Sequence, residues 1–164
     1  MMVCLRPVQP DDNEFLFRVY ASTRADELAR VDWDAAQKES FLRMQFEAQS
    51  RYYAENYPGA EFQAIELDGQ GVGRLYIHRR ADEIRIMDIA LLPETRGQGI
   101  GSALLTEILN NGQTNGLPVT IHVERMNPAL NLYQRLGFHL LEDKGVYLLL
   151  EWTPVLMEEH AHAR

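Results

Sequence analysis

An apolar run that leads straight into alternating glycines limits this chain more than any other feature. Ile84 to Leu92 is nearly continuously apolar, the pattern of a central strand covered on both faces. After Pro93 come Arg96-Gly97-Gln98-Gly99-Ile100-Gly101-Ser102, and then Ile100, Leu104, Leu105, Ile108 and Leu109 recur on one helical face. Residues without a Cβ let the backbone approach a ligand closely and take positive φ. The first N–H groups of the following helix lack internal partners and carry the positive end of its dipole. Together they predict an anion site suited to a phosphate or pyrophosphate, with the Ser102 hydroxyl and the Arg96 charge beside it.

Three cofactor readings compete for this loop. A P-loop needs Lys followed by Ser or Thr after its last glycine, and Ser102-Ala103 follows Gly101. A dinucleotide fingerprint needs glycine at 102 and an acidic residue about twenty positions on, and Asn115 to Thr120 offers none. A glycine-rich turn that serves only packing is the plainest alternative.

The rest of the chain reads as one continuous domain over 1–154, followed by a flexible tail over 155–164. Residues 2–8 form a short strand, in which Cys4 is expected to be a buried, inert thiol. Pro10-Asp11-Asp12 supplies a turn and a helix N-cap before Phe15, Leu16, Val19 and Tyr20. A second helix runs from about Asp34 to about Asn56, with Phe41, Leu42, Met44, Gln45, Phe46 and Ala48 as one broad apolar side. Phe62 to Leu67 and Val72 to His78 make a hairpin around Asp68-Gly69-Gln70-Gly71. Asn110-Asn111-Gly112 is expected to end the helix after the glycine loop. Val119 to Val123 is a strand; Asn127-Pro128 starts a helix that Gly137 stops. Phe138 to Leu141 and Val146 to Trp152 are the last strands, around Glu142-Asp143-Lys144-Gly145. The order β-α-α-β-β-β-α-β-α-β-β predicts an α/β domain on a mixed sheet.

Composition narrows the class. A net charge of −8 argues against a nucleic-acid binder, because phosphate neutralisation needs a basic face. A single cysteine excludes an intrachain disulfide framework and a thiolate zinc site, and favours a reducing compartment. No apolar run approaches a membrane span and the start MMVCLRPVQPDD has no signal-peptide core, so a cytoplasmic protein without a membrane partner is expected. The tail histidines His160 and His162 lack further ligands, and no metal is expected.

Arg96-x-x-Gly99-x-Gly101 resembles the pyrophosphate-binding signature of the GNAT N-acetyltransferases, [Q/R]-x-x-G-x-[G/A]. Asn127-Pro128-Ala129-Leu130-Asn131-Leu132-Tyr133-Gln134-Arg135-Leu136-Gly137-Phe138 resembles the second element of that family, at the proper distance. The resemblance covers residues 2 to 152 and implies an acyl-CoA N-acyltransferase fold that uses acetyl-CoA as acyl donor. It implies that the backbone of Ile89, Ala90 and Leu91 pairs with the pantetheine arm, and that Gln98 through Ser102 take the pyrophosphate. It implies that Asn127, equally well read as a helix N-cap, contacts the cofactor arm. It implies that Tyr133 protonates the departing thiolate; the plain alternative is that Tyr133 fills the core.

The resemblance fixes no general base, so candidates come from the residues. Asp88 lies inside an apolar strand, where an acid is costly without a purpose or an arginine partner such as Arg85 or Arg74. His122 alternates with Ile121 and Val123, facing away from one core layer. Tyr76, His78 and Glu124 could line an acceptor site or merely lie on the surface. The expected activity is acetyl transfer to a primary amine, of a small molecule or a peptide, by direct attack in a ternary complex. A non-catalytic acyl-CoA sensor or scaffold is the alternative. Domains of this family often pair through the later strands, here about 138–152, so a homodimer is among the expectations.

Overall fold

A computed structural model describes residues 2–155. The expected tail thus lies outside the described residues, apart from Val155, whose backbone exchanges two hydrogen bonds of 2.9 Å with the Gln113 side chain. Seven strands form one open, mixed sheet: β1 (Val3–Pro7), β2 (Glu61–Leu67), β3 (Gln70–Arg79), β4 (Ile84–Leu91), β5 (Val119–Glu124), β6 (His139–Asp143) and β7 (Tyr147–Trp152). Their spatial order is β1-β2-β3-β4-β5-β7-β6. The helices are α1 (Asn13–Ala29), α2 (Ala35–Asn56), α3 (Ile100–Asn115) and α4 (Leu130–Arg135), and the element order is the one the sequence predicts. Among the described residues no helix is long and apolar enough to cross a membrane. The described residues divide into two compact units: those up to Tyr76 with Asp88–Gln98, and Ile77–Met87 with those from Gly99 to Val155.

In the first unit β1 pairs antiparallel with β2, from Val3 opposite Leu67 to Pro7 opposite Gln63. β1 is an edge strand, and Cys4 on it is exposed rather than buried. Its place between Val3 and Leu5 suggested a buried thiol, but Leu5 too is exposed. Asp12 stands at the N-cap of α1 without capping it; its carboxylate accepts instead from Arg6 and from the Gln9 amide. Asp34 does cap α2, accepting from Gln37 N at 2.8 Å. The apolar side of α2 is narrower than its sequence suggests: Phe46 is buried with Leu16, Phe17 and Tyr20, whereas Met44 and Ala48 are exposed. The β2–β3 turn is tight because Asp68 (φ 50) and Gly69 (φ 85) both take left-handed backbone, leaving Gln70 and Gly71 inside β3.

In the second unit β4 runs parallel to β5, and β5 and β6 each pair antiparallel with β7. Ile84, Ile86, Val119, Ile121 and Val123 are buried, as are Leu104, Leu105, Ile108 and Leu109 of α3. α3 does not stop at Gly112 but continues to Asn115 and is closed by Gly116 at φ 66. Gly112 is buried, and a Cβ there would lie 2.8 Å from Leu117 O and 2.9 Å from the Trp152 ring. It is glycine for packing, not for termination. α4 is short, starting at Leu130 after a turn, and Gly137 (φ 103) follows it as expected.

Candidate active site

The loop after β4 has the backbone that its glycines predicted. Pro93–Thr95 forms a 3-10 turn, and then Gly97 (φ 76) and Gly99 (φ 82) adopt left-handed conformations that other residues enter only with strain. Gly99 is the N-cap of α3, and the first helical bond runs from Ala103 N to Gly99 O at 3.0 Å. The amides of Ile100, Gly101 and Ser102 therefore precede the hydrogen-bonded ladder and are available to an anion. Arg96 is exposed, and its Nε donates to Leu91 O at 3.0 Å, tying the loop back to the end of β4.

Two features of β4 concern Ile89, Ala90 and Leu91, all half-buried. The parallel register with β5 covers only Ile84–Ile86 opposite Val119–Ile121, while β4 runs on to Leu91. On its other side, Arg80 N donates to Glu83 O and Leu92 N to Val72 O. Between these bonds β4 carries one residue more than β3, which is a β-bulge. Gly73 accommodates it, since a Cβ there would collide with the Ala90 carbonyl oxygen and sit 2.9 Å from Leu91 Cδ2. Sequence reasoning passed over Gly73, although a glycine inside a strand pattern is the signal for such an approach.

Asp88 is paired with Arg74, the arrangement named above as its structural alternative. Arg74 is almost wholly buried; it also donates to Gln49 Oε1 of α2 at 2.9 Å and lies over the Tyr76 ring at 5.0 Å. Burial opposes its charge most strongly, but Asp88 together with Tyr76 and Tyr53 outweighs that and raises the guanidinium pKa. Tyr76 is buried against Phe62 and Tyr53 rather than on the surface, and desolvation raises the pKa of both phenols. His78 is half-buried and its Nδ1 accepts from Arg80 Nε at 3.0 Å.

His122 is half-buried on β5, with Arg85 Nη1 3.4 Å from Nδ1 and Lys144 Nζ 3.2 Å from Nε2. Desolvation chiefly, then Arg85 and Lys144, lowers its pKa, so the ring is neutral at pH 7. Arg85 is itself held by Thr120 Oγ1 at 2.7 Å and Glu83 Oε1 at 3.2 Å. Neither Arg85 nor Lys144 was picked out as a partner of His122 from sequence, because their meeting depends on strand order. Asn127 Oδ1 accepts from Ala129 N at 2.8 Å, which is an Asx turn ahead of the helix rather than the expected cap: α4 begins at Leu130, with Ala129 at its N-cap and no side chain capping it. Tyr133 is buried on α4 and meets Phe138 edge to face at 5.8 Å.

Comparison with known proteins agrees with this architecture. The Acetyltransferase (GNAT) domain family matches residues 58–140. A candidate ribosomal protein bS18-alanine N-acetyltransferase of Bacillus subtilis (strain 168) is 29% identical over 108 residues, 60% of this chain and 71% of that protein. A mycothiol acetyltransferase of Thermobifida fusca (strain YX) is 33% identical over 82 residues, 49% of this chain but only 22% of that protein. The crystal structure of PaiA N-acetyltransferase from Thermoplasma acidophilum with coenzyme A superposes with a TM-score of 0.71 at 19% identity, covering 93% of this chain and 99% of that one. With the glycine loop, the Asn127–Phe138 element and this sheet order in one chain, the protein belongs to the GNAT acetyltransferase family.

Proposed function

We propose that the chain transfers the acetyl group of acetyl-CoA to a primary amine by direct attack in a ternary complex. The observation that carries this reading is the loop itself: left-handed Gly97 and Gly99 deliver the unbonded amides of Ile100, Gly101 and Ser102 directly after β4. These amides, with Gln98, suit the donor's pyrophosphate, and the backbone of Ile89–Leu91, beyond the β5 register, suits an extended pantetheine. Asn127 is assigned to the cofactor arm, with its side chain held by the Asx turn to Ala129 N. That a similar fold was crystallised with coenzyme A supports the choice of donor.

In the reaction the amine nitrogen forms a bond to the thioester carbon, and the carbon–sulfur bond then breaks. The amine must lose a proton and the thiolate must gain one. Of the two expected bases, His122 suits the first task, because its surroundings keep the imidazole neutral with a lone pair. The Asp88 carboxylate is engaged by Arg74, and we assign it to holding β4 in place. Tyr133 is assigned the second proton. Two copies pairing through 138–152 remain part of the proposal, supported by the exposed Leu140, Leu141, Val146 and Tyr147.

The test is an amine panel scored by release of free thiol from acetyl-CoA. Tyr133→Phe is expected to lower kcat by about 10² or more while the KM for acetyl-CoA stays within about two-fold. Tight acetyl-CoA binding with no thiol release for any amine would make the chain a binding domain. Unchanged turnover in the variant would remove Tyr133 from its role.

A further inference from the structure

The surroundings of His122 hold a mismatch of donors. A neutral imidazole offers one N–H and one lone pair. Here both ring nitrogens face cationic donors: Arg85 Nη1 at 3.4 Å and Lys144 Nζ at 3.2 Å. In either tautomer one contact is therefore a donor against a donor. The acidic groups acting on the ring are Glu83 and Glu142, and Glu83 is already used by Arg85 and the Thr120 hydroxyl.

Neither cation reaches the ring by chance. Arg85 has only 12% of its side chain exposed and is braced by Glu83 and Thr120. Lys144 sits in the β6–β7 turn, which is pinned at several points. Lys144 N donates to Tyr147 O at 2.9 Å, Gly145 N to Asp143 Oδ1 at 2.9 Å, and Arg125 bonds both Gly145 O and the Asp143 carboxylate. The turn thus presents an ammonium, and β4 a guanidinium, on two sides of one imidazole. The carboxylate bonded within the cluster, Glu83, is taken up by Arg85 and the Thr120 hydroxyl and bonds neither His122 nor Lys144.

We propose that Arg85, His122 and Lys144 form a carboxylate subsite for the acceptor, so that the protein acetylates amines that carry a carboxylate close to the reacting nitrogen. The inference rests on the amine acetylation argued above. The acceptor's carboxylate takes the Lys144 ammonium, with the Arg85 guanidinium beside it on the other side of the ring. With Lys144 drawn away, His122 Nε2 is free to receive the proton that leaves the amine. Lys144 and Arg85 are then specificity-determining, and the resting contact of Lys144 on Nε2 keeps the base covered until the right acceptor arrives. A free amino acid and a peptide with an acidic residue beside its amino terminus supply the same chemistry.

Matched acceptors test this: an amino acid against its amide, and a short peptide with Asp at its second position against the same peptide with Asn. In the wild-type protein the carboxylate form of at least one pair is expected to have about ten-fold higher kcat/KM, and the pair that shows it identifies the source. In Lys144→Met the ratio is expected to fall to within about two-fold. Equal kcat/KM within both pairs would overturn the subsite while leaving amine acetylation standing. A second readout does not depend on turnover. Sodium acetate titrated into the protein, followed by the NMR shifts of His122, should raise the imidazole pKa in the wild type and not in Lys144→Met. An unmoved titration overturns the subsite even where no amine is acetylated, an outcome that would separately refute the proposed reaction.

Discussion

Asp12 shows how a single residue can be read correctly as important and wrongly as to why. A short acid before an apolar helix is a good N-cap by local rules, and those rules are all that a sequence displays. Its carboxylate instead accepts from Arg6 at 2.7 and 2.8 Å and from Gln9 N at 2.7 Å, while Arg6 Nε reaches Glu66 on β2 at 2.6 Å. The Arg6 guanidinium foremost, and the Gln9 amide next, lower the Asp12 pKa to about 2. A carboxyl depressed by folding stabilises the protein above its ordinary pKa, and that contribution is lost as the pH falls through the folded value. The stability from Asp12 should therefore be intact above pH 3.8 and decline from there towards pH 2. Asp12→Asn is expected to lower the urea midpoint at pH 7 and to flatten its decline over this window, followed by circular dichroism. An equally steep decline in the variant would assign the acid sensitivity elsewhere. The same limit applied at the site. His122 was picked out by its alternation with Ile121 and Val123, yet Arg85 and Lys144 reach it only through strand order. Asp88 was legible as an expensive acid, but which arginine holds it was not.

Elements were most legible where their ends carry local chemistry, and least where tertiary contact decides. α2 opens at Asp34 and Gly137 follows α4 with positive φ, both as read from sequence, and the Asp34 side chain on Gln37 N is the local reason for the first. The glycine loop was legible for the same reason, since its meaning lies in backbone freedom and helix polarity. α3 was misjudged because Asn110-Asn111-Gly112 looks like a helix end, whereas Gly112 is internal and lets Trp152, Val119 and Leu117 pack against the helix. Its replacement separates the two readings. Alanine is a better helix former than glycine by about 1 kcal/mol, which alone would stabilise an exposed helix interior. At Gly112, however, the new Cβ would stand 2.8 Å from the Leu117 carbonyl and 2.9 Å from Trp152 Cζ3. Overpacking of that kind costs about 1–3 kcal/mol, so Gly112→Ala should leave the protein less stable by about 1 kcal/mol. Equilibrium urea unfolding reads this directly. A variant more stable than the wild type would mean that the α3 contact yields at no cost. The bulge in β4 belongs with these cases. The residue that accommodates it, Gly73 against Ala90 O, lies on the neighbouring strand and shows in sequence only as one glycine among several.

At the scale of the whole molecule, the overall charge is poorly matched to the donor. The chain carries −8, and a coenzyme bearing a pyrophosphate is itself an anion, so the long-range field of the protein does not draw it in. Affinity has to come from short-range features: the start of α3, the positive-φ glycines before it and the extended backbone of β4. These are parts of the folded state alone, because in the unfolded chain the same amides are hydrated and unaligned. A ligand that binds only the folded state stabilises it by mass action, about 2.7 kcal/mol at a hundred times its Kd. For a chain of this size that corresponds to a rise in Tm of roughly 5–10 °C. Acetyl-CoA and CoA are expected to produce such a shift in thermal unfolding, and NAD and ATP at the same concentration are not. The glycines supply the internal control. Gly99→Ala meets no neighbour within 4 Å but must hold φ near 82. It should cost about 1–2 kcal/mol through backbone strain or shift the amides of α3 out of line. Either way the acetyl-CoA shift should shrink more than the unliganded Tm falls. If NAD or ATP protects the fold and acetyl-CoA does not, the loop is an anion site for a different cofactor.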